Sequence, residues 1–217
     1  MCIRDRKHID PNTQDETGST PLHSTCQNGH LETVKYLLLY CCPTAVNNHD
    51  KTPVDLAIQS GNLALIKYLI EEQNLSCNPA QFQQETTCFH PLHSACSQGQ
   101  FDLVKYLMEK LQFDPTVRNK NGSNLLIDAC RSGRLDMVRY LVEQQHNDPY
   151  CINNYGSTPL STACSNGYLD IMTYLIEEQH CNPRCADNDG ITLLHFCLLY
   201  TSPSPRDATL SRMPSSA

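Results

Sequence analysis

Three histidines, His23, His93 and His195, recur after Pro-Leu or Leu-Leu in short strings that are copies of one another. An imidazole can act as a general acid or base, or can bind a metal. Metal binding requires the ligands to converge, and a structural zinc site takes four Cys or His side chains in paired short spacings. The nearest approach to that pattern is Cys41-Cys42 and Cys181-Asn-Pro-Arg-Cys185. Cys77-Asn-Pro79 repeats the opening of the latter, so this cysteine belongs to a recurring turn. There is no Gly-rich phosphate loop, His-Glu-x-x-His helix or nucleophile elbow. Asp, His and Ser residues are scattered without a spacing that marks a triad. The reading is of a chain that is not an enzyme and takes no cofactor and no metal.

Those residues are placed by a repeat. Gly18-Ser-Thr-Pro-Leu-His-Ser-Thr-Cys26 returns as His90-Pro-Leu-His-Ser-Ala-Cys96, Gly122-Ser-Asn-Leu-Leu-Ile-Asp-Ala-Cys130 and Gly156-Ser-Thr-Pro-Leu-Ser-Thr-Ala-Cys164. Weaker copies are Lys51-Thr-Pro-Val-Asp-Leu-Ala57 and Gly190-Ile-Thr-Leu-Leu-His-Phe196. The Pro position falls at Pro21, Pro53, Pro91, Leu125, Pro159 and Leu193, at intervals of 32, 38, 34, 34 and 34 residues. Self-similarity at such a period marks a repeat architecture.

One unit can be read physically. Thr20 is an N-cap acceptor, and Pro21 follows at the first helical position, where a missing N–H costs nothing. Leu22, Thr25 and Cys26 then share a face, and Gly29 supplies the positive φ that stops the helix. A second helix carries Leu31, Val34, Leu37 and Leu38 on one stripe. Pro43, Pro79, Pro115, Pro149 and Pro183 are expected to end the second helices. Polar turns such as Asn119-Lys-Asn-Gly122 then make tight fingers. Helices this short bury their apolar faces only by stacking on neighbours.

This pattern resembles the ankyrin repeat: Thr-Pro-Leu-His, small residues and Gly, in register. The tetratricopeptide repeat has a similar period, but it places Trp and Tyr in its first helix and Pro at the end of its second. This chain has no Trp, and Pro opens its first helix. The resemblance implies an all-α solenoid of stacked helix-turn-helix units with short hairpin or turn fingers. It covers residues 7–196, with units near 15–47, 48–82, 83–118, 119–153 and 154–187 and partial units at 7–14 and 188–196. The second unit departs from the pattern, with Asp50 where the turn Gly is expected. Extra residues lie near Leu75-Ser76 and before Pro91, and the finger Glu85–His90 is expected to be distorted.

The two ends read as translated sequencing adapter. The complementary strand of a codon string for Met1-Cys-Ile-Arg-Asp5, in a neighbouring frame, encodes Cys-Leu-Leu-Tyr-Thr, which is Cys197–Thr201. Ser211-Arg-Met-Pro-Ser-Ser-Ala217 resembles the outer end of the same adapter. Residues 1–6 and 197–217 are therefore set apart, the tail as disordered, and the array is expected to continue past both ends.

The formal charge of −7 argues against a nucleic-acid partner, which needs clustered Lys and Arg. No apolar run approaches the ~20 residues of a membrane helix. Cys26, Cys96, Cys130 and Cys164 occupy one position of the repeat as small buried apolar residues, which points to a reducing compartment, cytoplasmic or nuclear.

The resemblance implies a protein partner held on a concave face of finger tips and first helices, and an acidic chain favours a partner with basic surface. Carried over residue by residue, the contact positions are Glu16, Thr17, Ser19, Gln27 and Asn28, then Asn48, His49, Lys51, Gln59 and Ser60. The third unit gives Thr86, Thr87, Phe89, Ser97 and Gln98, and the fourth Lys120, Asn121, Ser123, Arg131 and Ser132. The fifth gives Asn154, Tyr155, Ser157, Ser165 and Asn166. Phe89, Tyr155 and Arg131 are the expected anchors, because binding energy concentrates in aromatic and Arg side chains. The alternative is the targeting module of a larger ankyrin-containing enzyme, channel or kinase.

Overall fold

The computed structural model describes residues 10–77 and 90–183. Both adapter-like ends, the finger before His90, Phe89 and His195 lie outside them. Ten helices occur among the described residues, with no strand. They form five pairs. The first helices are α1 (Pro21–Gln27), α3 (Pro53–Ser60), α5 (Pro91–Ser97), α7 (Leu125–Ser132) and α9 (Pro159–Ser165). The second helices are α2 (Leu31–Leu37), α4 (Leu63–Lys67), α6 (Phe101–Glu109), α8 (Leu135–Glu143) and α10 (Leu169–Thr173). Pro21, Pro91 and Pro159 thus open helices, as the sequence predicts.

Starts and stops follow local chemistry. Thr52 caps α3: its hydroxyl accepts from Asp55 N–H at 3.3 Å, while the Asp55 carboxylate accepts from Thr52 N–H at 2.9 Å. That reciprocal pair is a capping box, and Thr158 with Ser161 builds another at α9. Gly133, after α7, sits at φ +76°, the left-handed region open to a residue without Cβ.

The second helices do not end at their prolines. Helix α6 stops at Glu109 and α8 at Glu143, each six residues before Pro115 and Pro149. Left-handed residues reverse the chain: Asn74, Gln112, His146 and His180, all with φ between 51° and 55°. The next amide bonds back across six residues, as in Phe113 N–H to the Leu107 carbonyl at 3.1 Å and Cys181 N–H to Leu175 at 2.9 Å. This is one residue wider than the Schellman closure, whose bond spans five residues, and it puts a non-glycine residue in the left-handed place. The identical pentapeptides Tyr68–Glu72 and Tyr174–Glu178 extend α4 and α10 by a π turn, closed by Gln73 N–H and Gln179 N–H on the tyrosine carbonyls.

The described residues divide into two compact units, those of 10–95 with 100–114, and 96–99 with 115–183. In the first, α1 packs on α2 and α3, and α3 on α4. Its core holds Leu22, Cys26, Val34, Val54, Ala57, Ile58, Leu65 and Leu69. In the second, α7 packs on α8 and α9, and α10 on α8 and α9, around Leu126, Cys130, Val138, Leu141, Ala163, Ile171 and Leu175. Helices α1 and α7 each lie beside the next first helix and beside their own second helix, so the stripes read from the sequence are buried by neighbours. In α2 the burial is uneven, because Val34 is fully buried while Leu31 and Leu37 are half-buried.

Candidate functional site

Each described finger is shaped by one Asx side chain. Asp15 Oδ1 accepts from Thr17 N–H and Ser19 N–H at 2.8 and 2.9 Å. Asn47 does the same for His49 and Lys51, Asn119 for Asn121 and Ser123, and Asn153 for Tyr155 and Ser157. A short polar side chain bonding backbone two and four residues on is an Asx turn, which holds the loop without a sheet. Three residues after each comes a left-handed residue: Gly18, Asp50, Gly122 and Gly156. Asp50 therefore takes at φ +55° the conformation that glycine takes elsewhere.

Neighbouring fingers are laced together inside each unit. In the first unit Asn48 N–H donates to the Thr17 carbonyl at 2.9 Å, and Asn47 Nδ2 donates to Ser19 Oγ at 3.2 Å. In the second unit Asn154 N–H donates to the Asn121 carbonyl at 2.9 Å, and Asn153 Nδ2 donates to Ser123 Oγ at 3.1 Å. The side-chain amides of Asn48 and Asn154 reach the Glu16 and Lys120 carbonyls at 3.3 Å. In each unit the result is a pair of tips joined through backbone and Asn side chains, with Glu16, Thr17, His49, Lys120 and Tyr155 exposed.

Most of the contact positions expected from the sequence are accessible. Glu16, Thr17, Gln27, Asn28, His49, Gln98, Lys120, Arg131, Asn154, Tyr155 and Asn166 are exposed, and Asn121 is half-buried. Lys51 differs: it is only 8% exposed, with its amide on Asn47 and its carbonyl taken by His23. Two anchors are held in place by neighbours. Tyr155 is 63% exposed, and its hydroxyl donates to Asn121 Oδ1 at 3.3 Å. Arg131 Nη1 donates at 2.8 Å to Asp128, a carboxylate buried in α7, while the rest of the guanidinium faces water.

The histidine is a structural tie. His23 Nε2 lies 3.1 Å from the Lys51 carbonyl, which can only accept, so Nε2 carries the proton. Nδ1 then accepts from Thr20 N–H at 3.1 Å. One ring thus closes the cap of α1 and clips it to the next finger. His93 is buried at the equivalent place in α5. Among the described residues no group of three or more His, Cys, Asp or Glu side chains is arranged to hold a metal ion.

Cys26, Cys96, Cys130 and Cys164 are buried as the repeat requires. Burial pushes the Cys26 thiol up to about 12 and raises the Cys96 and Cys130 thiols further. Such thiols are neutral apolar fillers. Cys181 Sγ points to the Pro149 carbonyl at 3.7 Å. Cys41 makes the same contact to the Pro11 carbonyl at 3.2 Å, although the loop after α2 is two residues shorter.

One set of contacts escaped the sequence reading. The cation at one position of a second helix lies over the tyrosine that follows it by one place in the next second helix. Lys35 Nζ is 5.4 Å from the Tyr68 ring centroid, Lys67 Nζ 5.6 Å from that of Tyr106, and Arg139 Cζ 4.4 Å from that of Tyr174. Lys35, Lys67 and Arg139 follow Val34, Ile66 and Val138 in aligned strings, so a register of the copies would have exposed the column.

The family model for ankyrin repeats (3 copies) matches residues 3–81 and 73–149, and that for ankyrin repeats (many copies) matches residues 126–176. Among curated proteins none matches. A similar solved structure is the human ASB11 ankyrin repeat domain, with a TM-score of 0.68 and 22% identity over 97% of this chain and 90% of that one. A likeness at that identity speaks to the fold.

Proposed function

Since the chain belongs to the ankyrin-repeat family, whose repeats are generally protein–protein interaction modules, we propose that it grips a partner protein along its finger tips and first helices. The observation that carries this is the pairing of accessible side chains with a braced backbone. Asn121 steadies the exposed Tyr155 ring, and Asp128 pins Arg131, so both side chains lose little rotamer freedom on binding. Ankyrin domains are typically not enzymes, and the residues with chemical potential here, His23 and the buried cysteines, are consumed by packing and hydrogen bonds.

The first unit presents Glu16 and Asp50 at exposed finger positions. They support a partner with a basic patch at that end, and charge there raises the association rate more than the affinity. The free cysteines at core positions support a reducing compartment, cytoplasm or nucleus.

The test is a binding measurement with a partner captured on the full chain. Tyr155→Ala or Arg131→Ala weakens it by ~1–3 kcal/mol with the unfolding midpoint retained in the Tyr155 variant. Unchanged affinity in both variants rejects this face.

A further inference from the structure

We propose that the finger and first-helix face of the second unit takes an acidic, extended peptide segment of its partner; this rests on the interaction reading above and names the chemistry that face selects. The chain as a whole is acidic, with a formal charge of −7. Within residues 115–183 the exposed carboxylates are sorted by element, and the two cations of the second-helix segments, Arg134 and Arg139, are paired to carboxylates there. The carboxylates Asp136, Glu143, Asp170, Glu177 and Glu178 lie on the second helices α8 and α10 and their extensions, and Asp148 in the loop after α8.

The fingers and first helices of the same stretch carry Arg118, Lys120 and Arg131, and their one carboxylate, Asp128, is buried and paired to Arg131. The fifth repeat's finger and α9 bear no charge at all. An anion approaching this face therefore meets cations and amides and no exposed carboxylate.

The geometry suits an extended segment. Lys120 stands on the finger, and Arg131 sits near the far end of α7, separated by a helix of about 10 Å. Extended chain rises about 3.3 Å per residue, so carboxylates three or four residues apart reach both cations. Arg118 Nη1 is turned inward onto the Gly122 carbonyl at 2.8 Å, which fixes its charge at the base of the finger. Tyr155 adds an aromatic surface beside Asn121, where an apolar side chain of the same segment packs. Asn154 and Asn166 are exposed polar side chains of the same face, their amides held by the Lys120 and Thr162 carbonyls at 3.3 and 2.8 Å.

The experiment is a selection from a random displayed peptide library on the full chain, followed by anisotropy titrations of the winning peptides. Enriched peptides carry Asp or Glu at that spacing, and the affinity falls about tenfold or more in Lys120→Gln with Arg131→Gln and drops with added salt. Glu177→Gln, on the outer helix, leaves it unchanged.

Because Arg131→Gln strips the partner from a buried carboxylate, Lys120→Gln alone is titrated as well. It leaves the fold's charged core intact and still costs several-fold. Winners that are neutral or basic, or acidic winners indifferent to Lys120→Gln, overturn the acidic specificity. If those winners still depend on Tyr155, the interaction reading survives. No enrichment, or winners indifferent to Tyr155 and both cations alike, overturns both.

Discussion

The guanidinium of Arg139 lies 4.4 Å above the ring of Tyr174 and grips the Glu178 carboxylate through both terminal nitrogens. The same Nη1 reaches Glu143 at 3.3 Å, and the Tyr174 hydroxyl donates to that carboxylate at 3.2 Å. Burial, helped by Glu143, pushes the Tyr174 phenol up to about 12, so it donates across the physiological range. Arg139→Ala is expected to destabilise the fold only modestly, because the cation–π contact is part-exposed and the ion pairs are screened. Arg139→Lys, which keeps the charge and loses the fork, recovers only part of it. Urea unfolding checks both, and an unchanged midpoint in Arg139→Ala removes the contact from the account.

Asp50 holds a left-handed backbone that its three counterparts assign to glycine. A Cβ there costs energy that Asp only partly recovers through local hydrogen bonding. Asp50→Gly is therefore expected to raise stability by about 0.5–1 kcal/mol, against the usual entropic penalty of glycine. A lower unfolding midpoint would show that the Asp side chain contributes more than its strain costs.

Gly133 and Gly167 share a positive φ but differ in their surroundings. A Cβ on Gly133 would fall 2.6 Å from the Tyr168 ring, whereas one on Gly167 meets nothing within 4 Å. Gly167→Ala carries backbone strain alone, about 1 kcal/mol, and Gly133→Ala carries that plus the displacement of a tyrosine ring. The ranking of the two midpoints is the measurement. Equal losses mean that Tyr168 swings away freely.

The buried thiols give stability a dependence on alkaline pH. Burial raises Cys26 and Cys151 from 9.0 to about 12. Below pH 9 these thiols are protonated in folded and unfolded chains alike and contribute nothing. Above it the unfolded chain releases protons that the folded one retains, so stability declines as pH climbs from 9 toward 12. Unfolding midpoints for wild type and Cys26→Ala, at neutral pH and pH 10, test this. The variant loses less on the alkaline side, and a parallel decline would reject a thiol origin. Exposed Cys42, whose thiol the Thr44 hydroxyl lowers, is alkylated before any of these in the native state.

The sequence announces whatever is written inside one repeat. Thr-Pro openings, the glycine after each first helix and the Cys26 series are local rules of backbone and size, and the structure follows them. The ends of the second helices were misread because proline is a conspicuous breaker. Asn74, His146 and His180 are of types enriched in the left-handed region, but Gln112 is not, and without a glycine the stop is not announced by any one residue type. Lys51 was expected at the surface because the family varies that position, yet here its backbone is enclosed between Asn47 and His23. The cation–tyrosine column was invisible for another reason: each contact joins residues thirty-odd places apart, and no single window of sequence contains both.

The lacing of the tips has one more effect. With Asn48 N–H given to Thr17 and Asn154 N–H to Asn121, these two amides are not open to main-chain pairing with a guest chain. On the proposed reading, recognition falls to outward-facing side chains such as Tyr155 and Lys120. A handful of substitutions at such places could exchange one client for another while the architecture beneath stays as it is.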